Sequence, residues 1–357
     1  MSYQTRVDSA RVRLDDLGCD ALLVTNLTNV RYLTGFSGSN GQVLIGRDEA
    51  VFFSDGRYAA RAATLVEGAE IAIYKDKLGE RLTALLESTG VERLGVEGAT
   101  VTLAQWDELA ESLAVELVTT KEVIEDLRRV KDETEIEALR RAVAIGDAAF
   151  TWMVERLSPG MTERGIALDL EVYMRSNGAE DVSFEPIVGT GPLAAHIHHT
   201  PSDRALEKGD LVLMDFGALA DGYHSDLTRT VVVGPASDEQ REVYDVVRRA
   251  QQAGIDALVG GAGAKAVDTA ARSVVVDAGY GDTFNHGLGH GVGLDIHEAP
   301  RMSDTTTDVL RTGEVVTVEP GIYLSDRGGV RIEDCVLITD GAAAVLGSAP
   351  KDKLIEV

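Results

Sequence analysis

In the first third of the chain, short apolar runs alternate with stretches of helical spacing. Residues 7–17 carry apolar side chains at three- and four-residue intervals, which predicts a helix. Ala21-Leu-Leu-Val-Thr25 is a continuous apolar run of strand length and predicts a buried strand. Gly41-Gln-Val-Leu-Ile-Gly46 and Ala50-Val-Phe-Phe-Ser54 flank Arg47-Asp-Glu and predict a hairpin. A charged helical stretch follows the Asp55-Gly-Arg-Tyr58 turn. Strands are then expected near 71–74 and 94–97, and helices near 79–87 and 103–113. This alternation describes an α/β domain of about 125 residues.

The pattern changes at Lys131-Asp-Glu-Thr-Glu-Ile-Glu-Ala-Leu-Arg-Arg141, which opens a long amphipathic helix running towards Leu157. Ser158-Pro-Gly160 stops it. A domain boundary near 125–128 follows, giving domains 1–126 and 127–357. Further helices are expected over 163–177, 244–259 and 265–278. A helical pair followed by sheet occurs twice, which suggests an internal duplication.

The second domain also places carboxylates on apolar segments. Asp215 ends the run Leu211-Val-Leu-Met-Asp215, and Asp226 lies in a second strand, 223–233. Asp221-Gly222 between them is a strong hairpin signal. If these two residues form the turn, Asp226 faces Gly217 and the two aspartates are diagonal neighbours on one face. Val315-Val-Thr-Val-Glu319 and a strand over 329–338 containing Glu333 repeat the arrangement around a turn at 325–329. Arg331 shares a face with Glu333 and is placed to orient a ligand carboxylate. Buried carboxylates must be neutralised, paired or bound to a metal.

All seven histidines lie between His196 and His297, which points to that region for chemistry. His290 sits in His286-Gly-Leu-Gly-His-Gly-Val-Gly-Leu-Asp-Ile-His-Glu298, where glycines permit close approach. His196-Ile-His-His199 precedes the first aspartate strand. Read as a strand, it would pair His196 with His198 as ligands; one substrate-facing histidine is the preferred reading. A site holding Asp215, Asp226, His290, Glu319 and Glu333 would suit two divalent cations.

Composition narrows the class. At 357 residues, 44% hydrophobic and 26% charged, the chain is ordinary globular protein. A net charge of −25 argues against nucleic acid, whose phosphates require Lys and Arg. No apolar run reaches bilayer length, and residues 1–9 carry no apolar signal core. Cys19 and Cys335 form neither a metal pair nor a disulfide framework and are expected as core thiols. A cytoplasmic location is the expectation.

The ordered set of five ligand-type residues resembles the pita-bread metallopeptidases: aminopeptidase P, prolidase and methionine aminopeptidase. Asn29-Val-Arg-Tyr-Leu-Thr-Gly-Phe-Ser-Gly-Ser39 and Phe53-Ser-Asp-Gly-Arg-Tyr58 are similar to the creatinase/prolidase N-terminal domain. Ser183-Phe-Glu-Pro-Ile-Val-Gly-Thr-Gly191 and His198-His-Thr-Pro-Ser-Asp-Arg204 are like the Xaa-Pro peptidase branch. The resemblance implies an α/β (α+β) chain, with a creatinase-like N-terminal domain before a pita-bread catalytic domain. It implies metal ligands Asp215, Asp226, His290, Glu319 and Glu333, substrate-side His198 and His297, and Arg331 behind the ligands. It also implies two divalent metals, manganese first, with cobalt, zinc or iron as alternatives. The expected reaction cleaves the bond before a proline in second position, with Glu319 moving a proton. A homodimer is expected. His199 stands where the family often has glycine, and Cys335 follows Glu333-Asp334 where a second acid is common. The Thr-Gly-Phe-Ser-Gly-Ser run favours an Xaa-Pro aminopeptidase; the alternative is an Xaa-Pro dipeptidase acting on dipeptides only. A metal-free creatinase-like hydrolase and a non-enzymatic peptide-binding protein are remoter, because both lose ligands that are intact here. The roles of His196, His199, His224 and His286 stay open.

Overall fold

In the computed structural model, which describes residues 1–75 and 78–357, the apolar runs of the first third become one mixed sheet. Its strands are β1 (Ala21–Val24), β2 (Gln42–Ile45), β3 (Ala50–Asp55), β4 (Glu70–Tyr74), β5 (Arg93–Glu97) and β6 (Glu116–Thr120), in the order β4-β3-β2-β1-β5-β6. β2 and β3 form the expected hairpin, with Val43 opposite Phe52. β1 pairs antiparallel with β2 and parallel with β5. Successive residues of β1 point to opposite faces, and all four are buried. That is why it reads as an uninterrupted apolar run rather than an alternating one. Leu23, Leu44 and Phe53 pack with Leu82 and Leu86 of the helix Leu78–Thr89.

A helix and an edge strand are among the elements of this unit that were not anticipated. Leu27–Thr34 is a helix, capped by the Asn26 side chain and ended by Gly35 at φ 78°. Its asparagine, threonine and β-branched valine have low helix propensity, so the caps and the buried Val30 and Leu33 stabilise it. β6 adds a parallel edge strand beside β5. The expected first helix is split into Tyr3–Arg11 and Leu14–Leu17.

The chain separates into two units, Met1–Arg128 and Arg129–Val357. The second opens on the helix Glu133–Val154, where Asp132 and Glu135 form a capping box. It ends at Val154 rather than Leu157, in a tightened last turn where Arg156 N–H bonds Met153 O. The helix Glu163–Ser176 follows. The third helix, Asp238–Asp256, begins ahead of the expected 244 because Ser237 and Gln240 close another capping box. Ala264–Asp277 completes the second pair.

The strands of this unit are β7 (Asp181–Val182), β8 (Ile187–Thr190), β9 (Leu211–Phe216), β10 (Ala218–Ala220), β11 (Tyr223–His224), β12 (Leu227–Val232), β13 (Gly289–Gly291), β14 (Glu298–Met302), β15 (Val315–Val318), β16 (Gly321–Leu324), β17 (Gly328–Arg331), β18 (Asp334–Leu337), β19 (Ala344–Val345) and β20 (Ile355–Glu356). The first helical pair leads into antiparallel β8-β9-β12, and the second into antiparallel β13-β15-β18. The duplication is therefore visible in topology. Phe150, Met153, Ile166 and Leu170 cover Met214 and Phe216 of β9. Val247, Ala250 and Ala271 cover Val316, Val318 and Val336 in the second half. Among the described residues no helix is long and apolar enough to cross a membrane. Cys19 and Cys335 are free, buried thiols.

Candidate metal centre

Asp221 and Gly222 both take positive φ, 51° and 82°, as a type I′ turn requires. The register this sets places Leu219 opposite His224, Phe216 opposite Leu227 and Asp215 opposite Thr228. Asp226 then lies across from Gly217 and diagonal to Asp215, the relation read from the sequence. Gly217 is needed there, since a Cβ would sit 1.8 Å from the Ser225 carbonyl oxygen.

The glutamate hairpin differs from expectation. The run 329–338 is two strands, β17 and β18, interrupted at Ile332-Glu333. A separate hairpin, β16–β17, pairs Gly321 with Arg331, while β15–β18 pairs Val318 with Asp334. The break has a physical reason. Glu333 N–H bonds Thr228 O on β12, so the backbone leaves its own sheet at Glu333, whereas Glu319 N–H bonds Leu288 O and continues the β13–β15 pairing.

Asp226, His290 and Glu333 bring ligand atoms within 4.8 Å of one another. His290 Nε2 is 3.6 Å from Asp226 Oδ2 and 3.6 Å from Glu319 Oε1. Asp215 lies outside that tight trio, its Oδ2 held by Arg331 at 2.5 Å, but its charge raises the pKa of Asp226, Glu319 and Glu333. Burial is the largest cause of each rise. It lifts Glu319 to about 8 and Asp226 and Glu333 well above the ordinary carboxyl range. Burial likewise lowers His290 to about 4, so the ring is neutral. Its Nδ1 lies 2.9 Å from Gly291 O, which fixes the proton there and leaves the Nε2 lone pair facing two carboxylates. Asp215 Oδ1 and Asp226 Oδ1 are buried with no hydrogen-bond donor among the described residues.

These observations test the fit of a cation. A neutral imidazole lone pair, four clustered carboxylates and two orphaned acceptor oxygens are mutually repulsive without positive charge between them. An oxygen-rich set with one imidazole suits hard or borderline divalent ions. The residues fit.

Four polar side chains support the cluster. Arg331, 2% exposed, donates to Asp215 through Nη2, to Thr228 Oγ1 through Nε at 3.1 Å and to Tyr323 Oη through Nη1 at 2.9 Å. The Thr228 hydroxyl donates in turn to Glu333 Oε2 at 2.5 Å. Thr317 donates to Glu319 Oε1 at 3.3 Å. Tyr323, pushed up to about 12 by burial, keeps its proton for His286 Nε2 at 2.9 Å, while His286 Nδ1 faces Gly287 O. Sequence reasoning missed Thr228, Thr317 and Tyr323. The first two carried a signal, since each lies two residues along its strand from an acidic residue and so shares its face. Tyr323 carried none, because the β16–β17 hairpin brings it in.

His297 and His198 lie above this cluster and are exposed. The His297 ring meets that of His290 edge-on at 4.4 Å between centroids. His198 is close enough to lower the pKa of both His286 and His297, after the larger effect of burial. His196-Ile-His-His199 is a turn after the 3₁₀ helix Gly191–Ala195, not a strand, so the alternation argument for pairing His196 with His198 does not apply. His199 points at Glu163 and His224 at Ser183, both outside the cluster. Arg301 is a further residue that the sequence did not single out. It pairs directly opposite His290 across β13–β14, so its side chain shares that face, and its charge is felt by His290 and His297. It is exposed, and among the described residues its guanidinium makes no ion pair.

Comparison with known proteins agrees with this geometry. Residues 137–340 match the model of metallopeptidase family M24, and residues 6–130 match the creatinase/prolidase N-terminal domain. The chain is 38% identical to the Xaa-Pro dipeptidase of Pyrococcus furiosus over 96% of its length and 97% of the relative. Among solved structures it resembles an Xaa-Pro dipeptidase from Bacillus anthracis, with TM-score 0.97 and 36% identity over 100% of both chains. It also resembles an X-Pro aminopeptidase from Thermotoga maritima, with TM-score 0.91 and 34% identity over 97% of this chain and 100% of the other.

Proposed function

This chain belongs to metallopeptidase family M24, a divalent-metal family, and we propose that it hydrolyses the bond between an N-terminal residue and proline, with Xaa-Pro dipeptides as its preferred substrates. Asp215, Asp226, His290, Glu319 and Glu333 are the proposed ligands of two divalent ions, manganese first, with cobalt, zinc and iron compatible with the same donors. Bound there, such ions would lower the pKa of water and polarise a carbonyl oxygen.

The remaining roles fall to the chain itself. Arg331 fixes the rotamer of Asp215, and Thr228 that of Glu333. Glu319 is the proposed carrier of the proton, received and returned at its carboxylate. His198 and His297 are the proposed groups that hold the scissile carbonyl and donate to the oxygen that gains charge at the transition state. An Xaa-Pro bond has no N–H, so recognition rests on ring shape and carbonyl contacts.

The observation that carries the dipeptide preference is Arg301. It offers an exposed guanidinium on the same sheet face as His290, beside His297, where the free carboxylate of a dipeptide would lie. The Pyrococcus and Bacillus relatives support the same reading by name. The Thermotoga relative favours the second reading, an aminopeptidase accepting peptides extended beyond proline. We carry forward a homodimer as the working assembly.

Parallel assays of Ala-Pro and Ala-Pro-Ala decide between them. The proposal expects kcat/KM to favour the dipeptide; efficient cleavage of the tripeptide with none of the dipeptide would transfer the chain to the second reading.

A further inference from the structure

Glu163 opens the helix Glu163–Ser176 and is fully buried, an uncommon setting for a carboxylate. Both of its oxygens are occupied. Oε1 accepts from the N–H and the hydroxyl of Thr190, each at 2.8 Å. Oε2 accepts from His199 Nε2 at 2.8 Å and from the N–H and hydroxyl of Ser202 at 3.0 and 2.6 Å. Burial alone would raise its pKa, but the donors on Ser202, His199 and Thr190 outweigh it and hold the carboxyl below its ordinary value.

The two ends of this clamp lie far apart along the chain. Thr190 ends β8, and Ser202 lies beyond the histidine turn, so one carboxylate ties together both ends of segment 190–202. His198 is carried on that segment. Among the described residues, the backbone of 197–201 makes no hydrogen bond of its own. The segment is therefore held by its ends, by His199 and by Ile197, which packs against Ala194, Leu213 and Tyr323. Charge-assisted hydrogen bonds to a buried carboxylate are well suited to fix it.

We propose that Glu163 is a positioning residue for the cleavage reaction. It acts through Thr190, His199 and Ser202 to hold the loop that presents His198 to the scissile carbonyl, and His199 serves this clamp rather than the metals. This rests on the role proposed above for His198. The substitution Glu163→Gln is nearly isosteric but sets an amide NH₂ against a backbone N–H whichever way it turns, since Thr190 N–H and Ser202 N–H face opposite oxygens.

The test has two arms. Hydrogen–deuterium exchange on the metal-free protein should show E163Q accelerating exchange by about tenfold or more at the hydrogen-bonded amides of segment 190–202, those of Thr190, His196 and Ser202, with the segments bearing Asp215 and Asp226 unchanged. Steady-state cleavage of Ala-Pro by the metal-loaded enzyme should show E163Q lowering kcat by roughly 10–100-fold at unchanged metal content. In a His198→Ala background the same substitution should cost less than about twofold, because its route is already cut. If E163Q does not fold, His199→Gln, which leaves four donors on the carboxylate, should show the same pattern at smaller size. Unchanged exchange in 190–202, or an equal loss of kcat with and without His198, overturns the proposal. An inactive wild type would count against the Xaa-Pro reading instead, and the exchange arm would still decide on Glu163.

Discussion

Arg331 places Nη2 2.5 Å from Oδ2 of Asp215, joining residues 116 positions apart in the chain. The same guanidinium reaches Thr228 and Tyr323, so three partners are oriented by one planar fork. Arg331→Lys keeps the charge and loses the fork. Calorimetric titration of the variant should show divalent-metal affinity reduced by about 10–100-fold, with a parallel fall in kcat. Unchanged affinity would show that Arg331 contributes charge alone.

Arg301 gives a substrate-specific prediction. Arg301→Ala should raise KM for Ala-Pro by about tenfold or more, the loss of one charge-assisted bond, and leave Ala-Pro-amide within about twofold. Steady-state kinetics on the two substrates checks this. Equal effects on both would remove the carboxylate clamp.

Lys131 and Glu298 form a buried pair at 3.0 Å, with side chains 1% and 7% exposed. Glu298 directly follows His297. Lys131→Met should destabilise the catalytic unit by about 3–5 kcal/mol, because buried Glu298 loses the ammonium paired with it at 3.0 Å. Urea unfolding measures the loss; a change below about 1 kcal/mol would mean that the pair is solvated in solution.

Asp334 supplies the pH dependence. Burial alone would raise its pKa, but Arg229 and Lys351 outweigh that and hold it below the ordinary carboxyl value of 3.8. The unfolded chain then binds the proton more readily than the folded one. The stability from Asp334 is fully present above about pH 3.8 and drains away as pH falls through the lower folded value. Asp334→Asn should therefore cost about 3–5 kcal/mol near pH 7 and progressively less below about pH 3.8. Unfolding midpoints of the two proteins across that range provide the check, and a gap that stays constant would contradict it.

The aspartate half of the site was legible because its register is local. Asp221-Gly222 allows one turn, and that turn fixes which residues oppose Asp215 and Asp226. The glutamate half was legible in its residue types but not in its strands. The break at Ile332-Glu333 goes with Glu333 N–H bonding Thr228 O on β12, a partner that no local pattern reveals. Arg331 was expected to orient a ligand carboxylate, and the one it reaches is Asp215, on a strand outside its own hairpin. Arg301 was hidden for the same reason, since its relation to His290 depends on the β13–β14 register, which shifts at Gly291. In the first unit, Leu27–Thr34 went unread because its helix depends on caps and packing rather than on propensity.

The most direct measurement strips the protein of metal with chelator and adds manganese, cobalt, zinc or iron back stepwise, following bound metal and Ala-Pro cleavage together. The account predicts no cleavage without metal, saturation at about two ions per chain, and activity that rises with occupancy. Undiminished hydrolysis in excess chelator with no bound metal would contradict it.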